Sequence, residues 1–413
     1  TWSYSSLSNA RTVYVTDISF SGVEVDDKKW LMKKCNLKEN SDISTQQIEQ
    51  ALYQLRGTQS YSSASYTLKE TPEVITSTSC YRKKYERRIN LGIRFDSEEI
   101  ASLLVNATAD LKTRIPSRLA LTGRLGKRYA ARIDYTLEPM QQRNFNFSYM
   151  FQYNDINIYE EGDRAYNTTY KISSAEFGFS DVWYKNFRFG LGLRFEYYKY
   201  KDFLFKKPEI SDLKVESEHF LSYFAQVQYN TYDKGRFPSK GSDFRAAYSL
   251  YTDNMAQYNE HAPFSALNAS WASVIPVTRR FSIIPSIYGR ILIGRDFPYP
   301  LQNAIGGDVP GFYIPQQLPF AGVTNLELMD NTIMIASIKF RQRMGAIHYL
   351  TLTGNYGLTD SNFFDILKGK QLFGISAGYG MDSIFGPLEI SLGYFQSDGQ
   401  RKLLCEFRVL LLM

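Results

Sequence analysis

The residues Gly374-Ile375-Ser376-Ala377-Gly378 satisfy G-x-S-x-G, the spacing of a nucleophile elbow. Such an elbow sets its serine on a sharp strand-to-helix turn, where a histidine base reaches the hydroxyl. The surrounding KQLFGISAGYGMD alternates throughout and leads into no helix. Ser376 shares its parity with Gly374 and Gly378, opposite Phe373, Ile375, Ala377 and Tyr379. It is therefore read as one residue of a strand face, and no catalytic residue is assigned. Asp398-Gly399 reads as a turn signal. His219, His261 and His348 are scattered near strand ends, so neither a metal site nor a cofactor is expected. Cys35, Cys80 and Cys405 form no C-x-x-C pair. Cys35 and Cys80 share the N-terminal segment; they either pair in an oxidising compartment or stay as two free thiols. Cys405 reads as a small apolar residue on a strand.

The elements that would position these residues are nearly all strands. The chain has 413 residues, with 31 Tyr and 28 Phe, and a net charge of +6. No apolar run reaches the ~18 residues of a membrane helix, but barrel strands alternate and escape that test. The charge permits contact with anionic lipid, and nothing further points to nucleic acid. The basic run YRKKYERR, from Tyr81 to Arg88, reads as a solvated strand and linker, or as a contact for headgroups or a polypeptide. The chain opens on Thr, with no secretory signal visible, as expected of a processed or partial chain.

Residues 1–11 read as a linker, and residues 12–84 as a small α+β domain. TVYVTDISFSGV is read as one strand, DDKKWLMKKCNL as a short helix, and STQQIEQALYQLRG as a second helix. In that second helix Ser44 caps and Gln47 follows three residues on. Two more strands follow. From Arg87 the period is two. In FRFGLGLRFEY, Phe187, Phe189, Leu191, Leu193, Phe195 and Tyr197 share one face, opposite Arg188, Gly190, Gly192, Arg194 and Glu196. RINLGIRFD, LSYFAQVQYN and GPLEISLGYF repeat this pattern. Sixteen such segments span residues 85–413, the first at 88–97, the third at 117–126 and the last at 401–412. Many are ten residues or longer, the length a tilted strand needs to cross a bilayer. No helix is available to cover so much apolar sheet. The expected fold is mostly β: a sixteen-stranded antiparallel transmembrane barrel with lipid outside and a polar lumen inside. Odd strands run outward from an N-terminal domain in the periplasm, which puts tight turns inside and long connections outside.

The longest connection, 294–331, holds GGDVPGFYIPQQLPFAGV, from Gly306 to Val323. It is rich in breakers yet carries the single charge Asp308, so free disorder is not expected. Folding it into the lumen would bury Phe312, Tyr313 and Phe320 and narrow the pore, with Gly306, Gly307 and Gly322 shaping the plug.

These segments resemble the outer-membrane assembly factors and two-partner secretion transporters, the bacterial surface antigen family. In that family periplasmic POTRA domains precede a sixteen-stranded BamA-like barrel. Residues 12–84, with ISFSGV and ALYQLRGTQSYSSASYTL, are similar to one POTRA domain. PFAGV occupies the place of the family's Val-Arg-Gly-Phe/Tyr loop tip; Gly322 matches, and Ala321 stands where the arginine would be. YDKGRFPSKGSDF resembles the family's periplasmic turn, here Asp233, Pro238 and Gly241. NLGIRFDSEE and FAGV most resemble the POTRA-barrel half of patatin-linked type V secretion proteins. Family barrels end in an aromatic residue, whereas this chain ends VLLLM. The resemblance implies a bacterial outer-membrane protein that inserts, translocates or displays a polypeptide client, its own upstream patatin-like domain. Outer-membrane lipid surrounds it, and other outer-membrane subunits are possible partners. Alternatives are the anchor half of a patatin-like phospholipase whose catalytic domain lies outside this chain, and a diffusive porin. The POTRA-like segment and the apolar loop oppose the porin.

Overall fold

Residues at period two make flat elements, and the chain is built almost wholly from strands. The computed structural model describes residues 12–21, 32, 37–44, 64–71, 74–81, 87–96, 101–111, 117–137, 144–160, 163–184, 186–205, 217–233, 237–258, 260–295, 297–307, 313–323, 326–383, 386–397 and 400–412. Two compact units result, one comprising Thr1–Glu86 with Asp110–Arg114 and Pro139–Gln142, the other holding the remainder.

In the first unit, β1 (Thr12–Val15) pairs antiparallel with β3 (Ser41–Ser44). β2 (Asp17–Ser21) runs parallel to β5 (Val74–Tyr81), which also pairs antiparallel with β4 (Ala64–Thr71). The single strand expected from Thr12 is two strands in two sheets. Val15 and Ile18 are both buried although three residues apart. An unbroken strand with a period of two cannot do that, so the chain bends at Thr16. Ser44, expected as a helix cap, ends β3 opposite Thr12. Apart from the helical Met32, the two expected helices lie outside the described residues, as does Cys35.

The second unit begins with β6 (Arg87–Asp96), β7 (Ser102–Leu111), β8 (Ser117–Gly126) and β9 (Ala130–Leu137). Three long strands follow: β10 (Asn144–Glu160), β11 (Asp163–Tyr184) and β12 (Phe187–Phe205). Next come β13 (Glu218–Asn230), β14 (Gly241–Thr252), β15 (Phe264–Pro276) and β16 (Phe281–Ile293). The long connection carries the short β17 (Ala304–Ile305), β18 (Gln317–Leu318) and β19 (Leu326–Leu328). The wall ends with β20 (Thr332–Met344), β21 (His348–Asp360), β22 (Lys370–Ser383), β23 (Gly386–Ser397) and β24 (Gln400–Leu412). Each wall strand lies beside the next, and β16 meets β20 across the connection. β24 pairs antiparallel with β6, from Arg408↔Asp96 to Leu412↔Gly92. That junction registers five residue pairs, where β10 and β11 register seventeen.

The two faces differ as the period demands. On β21, Leu350, Leu352 and Tyr356 are exposed, while Thr353, Asn355 and Thr359 are buried. On β12, Leu191, Phe195 and Tyr197 are exposed and Glu196 is buried. Arg194 pairs with Glu176 at 2.6 Å. This inner face is not uniformly polar as expected. Tyr170, Tyr198, Phe220, Tyr251 and Phe264 form an apolar cluster on it with Leu301, Tyr313 and Leu326 of the long connection. Aromatic side chains belong there because another chain segment, rather than water, covers them.

Candidate functional site

The connection between β16 and β20 packs on the wall through its own small sheet. β17 pairs parallel with β18 and antiparallel with β19, and Ile158 and Tyr159 of β10 pair with β19. Tyr313 and Phe320 are both buried, Phe320 completely, whereas Phe312 lies outside the described residues. Gly306 and Gly307 fasten the tip. The Gly306 amide donates to the Leu318 carbonyl, and the Phe320 amide donates to the Gly307 carbonyl at 2.7 Å. Gly307 takes a φ of 63°, which glycine adopts without cost.

The tip, Phe320-Ala321-Gly322-Val323, rests on glycines of three adjacent strands. A Cβ on Gly393 of β23 would lie 2.5 Å from the Gly322 Cα. A Cβ on Gly374 of β22 would lie 2.7 Å from the Phe320 ring, and one on Gly357 of β21 would lie 3.0 Å from it. Gly322 itself has a φ of 84°, and a Cβ there would meet the Tyr394 carbonyl carbon at 2.8 Å. Phe320 also stands edge-on to Phe395, centroids 5.6 Å apart. With its side-chain amide turned to suit both partners, Asn355 accepts from the Ala321 amide at 3.0 Å. The seat is thus a backbone-on-backbone contact, which only residues lacking a Cβ permit.

The turn between β13 and β14 holds Asp233, Pro238 and Gly241. The Asp233 carboxylate accepts from the Ser239 amide at 2.8 Å, the Lys240 amide at 3.3 Å and the Ser239 hydroxyl. Burial opposes its ionisation, but the Ser239 hydroxyl and the two amides outweigh that and hold the carboxyl below the ordinary carboxylate range. Gly241 sits at φ 109°, where a Cβ would lie 2.7 Å from the Thr231 carbonyl carbon. Asp and Gly are therefore what this turn requires.

A family model described as the OMP85 superfamily matches residues 131–406. The chain belongs to the OMP85 superfamily. It is an outer-membrane protein with the barrel fold of that family. It is similar in structure to BamA from Haemophilus ducreyi lacking POTRA domains 1-3, with a TM-score of 0.64 at 15% identity, over 97% of this chain and 85% of that one. CdiB from Acinetobacter baumannii gives a TM-score of 0.60 at 11% identity, over 97% and 74% of the two chains. CdiB from Escherichia coli gives 0.53 at 11% identity, over 100% and 93%. A search of curated protein sequences finds no match.

In this OMP85 chain Ala321 is buried, with its amide on Asn355 and its carbonyl over Gly374. Guanidinium groups instead come from the wall and from the turn after β8. Arg290 of β16 is buried and donates to the Leu301 carbonyl at 2.9 Å and to the Asn303 side chain. Arg128 donates to the Tyr313 carbonyl at 2.9 Å and lies 4.9 Å from that ring's centroid. Asn303 ties the base of the connection, donating to the Asp330 carbonyl at 2.9 Å. Gln317 accepts from the Tyr313 amide at 2.8 Å and donates to the Gly306 carbonyl. Sequence reasoning missed all four. For Asn303 and Gln317 the signal was a buried-type amide amid apolar residues; for the arginines there was none, because Arg128 meets Tyr313 across 185 residues and Arg290 meets Leu301 and Asn303 only through the fold-back of the connection. Ser376 lies mid-strand in β22, registered with Thr353 and Gly393, and Asp398 and Gly399 lie outside the described residues. His219, His261 and His348 do not come together with other ligand types, and among the described residues no group of three His, Cys, Asp or Glu could hold a metal.

Proposed function

We propose that this OMP85 protein is a sixteen-stranded outer-membrane barrel that translocates or displays a polypeptide. Its inner face lines a lumen, and the connection 294–331 plugs that lumen. The N-terminal unit is a periplasmic POTRA domain, whose edge strands β2 and β4 offer backbone groups for an extended client. The client fitting the N-terminal resemblance is a patatin-like domain preceding this unit. The observation that carries the reading is the glycine seat under Gly322: a long connection whose tip is held against the inner wall chiefly by close backbone contact, with Asn355 on the Ala321 amide as its side-chain bond. A wall whose first and last strands share five registered pairs adds a place where strands can part.

The test is twofold. Deleting 306–323 should raise single-channel conductance in planar bilayers, and unchanged conductance would count against the plug. Tethering the registered partners Ile93 and Leu411 as a cysteine pair should stop surface display of the client while leaving the barrel folded. Undiminished display in the tethered protein would remove the parting of these strands from the mechanism.

A further inference from the structure

The turn between β13 and β14 does more than reverse the chain. Phe237 lies with its ring stacked on Tyr349 of β21, centroids 4.3 Å apart and planes 5° from parallel. The next residue, Pro238, offers its carbonyl to the Arg341 guanidinium of β20. On the other side is Gly380 of β22, where a Cβ would lie 3.2 Å from the Phe237 ring. In the sheet, β15, β16 and β20 intervene between β14 and β21. Four strand spacings are about 19 Å of wall. The turn therefore folds inward over the intervening strands, with the Tyr232 hydroxyl on the Ala272 carbonyl of β15 and Pro238 on Arg341 of β20, before its ring meets Tyr349.

Tyr349 and Arg341 are buried, and Tyr349 alternates with the exposed Leu350, so both belong to the inner face. Gly380 is buried next to the exposed Tyr379. Arg341 also lies 5.8 Å from the Tyr349 ring centroid, so cation and ring receive the turn together. Phe237 has a φ of 41°, a left-handed backbone that a phenylalanine takes only when its surroundings impose it. The bonds of Ser239 and Lys240 to Asp233 fix the turn that imposes it.

We propose that Phe237 and Pro238 form a second closure of the lumen, a bolt thrown from the β13–β14 turn to the β20–β22 wall at the end opposite the plug. On β21 the plug rests at Gly357 and the bolt at Tyr349, eight residues apart, or about 27 Å along the strand. Both fastenings thus hold β21 and β22, one near each mouth. A polypeptide entering from the side of the β13–β14 turn meets the bolt before the plug. Opening the plug alone leaves the bolt in place, which makes the two closures separable. This rests on the lumen reading above.

The experiment combines two readouts on the full chain. Hydrogen exchange at residues 239–242 reports the contact itself. It should quicken at least about threefold in Tyr349→Ala, because the local opening free energy falls with the lost stack. Single-channel conductance reports closure. With 306–323 deleted, Phe237→Ala should raise conductance by about twofold or more, since flux follows the narrowest section of a pore. Gly380→Val, which crowds the same ring from behind, should act in the same direction, and Phe237→Trp should keep the deletion's value. Folding of each variant is read from heat-modifiable gel migration. Unaltered exchange in Tyr349→Ala overturns the bolt. So does unaltered conductance in a folded Phe237→Ala variant whose parent deletion conducts. If exchange quickens but no variant conducts, the lumen reading fails and the closure falls with it.

Discussion

Replacing Gly393 by alanine tests the plug's seat with one added carbon. The new Cβ would stand 2.5 Å from the Gly322 Cα, backbone against backbone, with no flexible side chain to move aside. Ordinary carbon contacts lie at about 3.5–4.0 Å, so the tip must lift by about 1 Å or the strand must shift as far. Overpacking of this kind costs about 1–3 kcal/mol. Lifting also draws the fully buried Phe320 from its place against Phe395. Exposing part of that ring adds a fraction of the roughly 1.5–3 kcal/mol that its burial contributes. A combined loss of about 2–3 kcal/mol raises the unseated fraction about thirtyfold to a hundredfold, at a factor of ten per 1.4 kcal/mol. The assay is open probability in planar bilayers, after gel migration shows the barrel intact. Gly123→Ala is the control, because nothing lies within 4 Å of its added carbon. If Gly393→Ala stays as closed as Gly123→Ala, the glycine seat does not hold the plug.

Arg290→Ala should loosen the base of the connection by about 2–4 kcal/mol, because the buried Leu301 carbonyl and the Asn303 side-chain oxygen lose a charged donor. Faster proteolysis within 297–307 in the folded variant would show it; wild-type resistance would not fit. Asp233 has a folded pKa below its unfolded one, so its stabilisation of the turn is present above the ordinary carboxylate range of about 4 and disappears as pH falls through the lower folded value. Exchange at residues 237–241, corrected for intrinsic rates, should therefore stay slow at pH 5 and quicken toward pH 3, and Asp233→Asn should be fast at both. Ser376→Ala should leave any ester hydrolysis by the chain unchanged, since the serine lies mid-strand with no elbow.

How much of this was legible depended on the range of each cause. Alternation is local, so wall strands could be placed from sequence, and β8 has the bounds the pattern gave. The Asp233 turn was reached through the family resemblance, although its bonds close within eight residues. The bend at Thr16 required knowing that one run serves two sheets. The apolar part of the inner face was missed because Tyr198 and Phe220 share parity with Glu196 and Ser222. Only the connection packed over them explains why they are aromatic. Arg128 meets Tyr313 across 185 residues, and no local pattern announces that pair. The glycines at 357, 374 and 393 were visible as glycines, but their purpose emerges only when three strands lie side by side.

The unequal strands give the outer rim a direction. β11 has 22 residues and β12 has 19, whereas β8 has ten and β9 has eight. At about 3.3 Å per residue and a tilt near 40°, β11 rises about 55 Å and β9 about 20 Å, against a hydrocarbon layer of about 30 Å. The wall therefore stands tall along β10 to β12 and steps down sharply at the neighbouring β9, which pairs with β10 and barely crosses the layer. Under the proposed function, a polypeptide leaving the lumen would meet a wall on the β10–β12 side and a gap at β8 and β9.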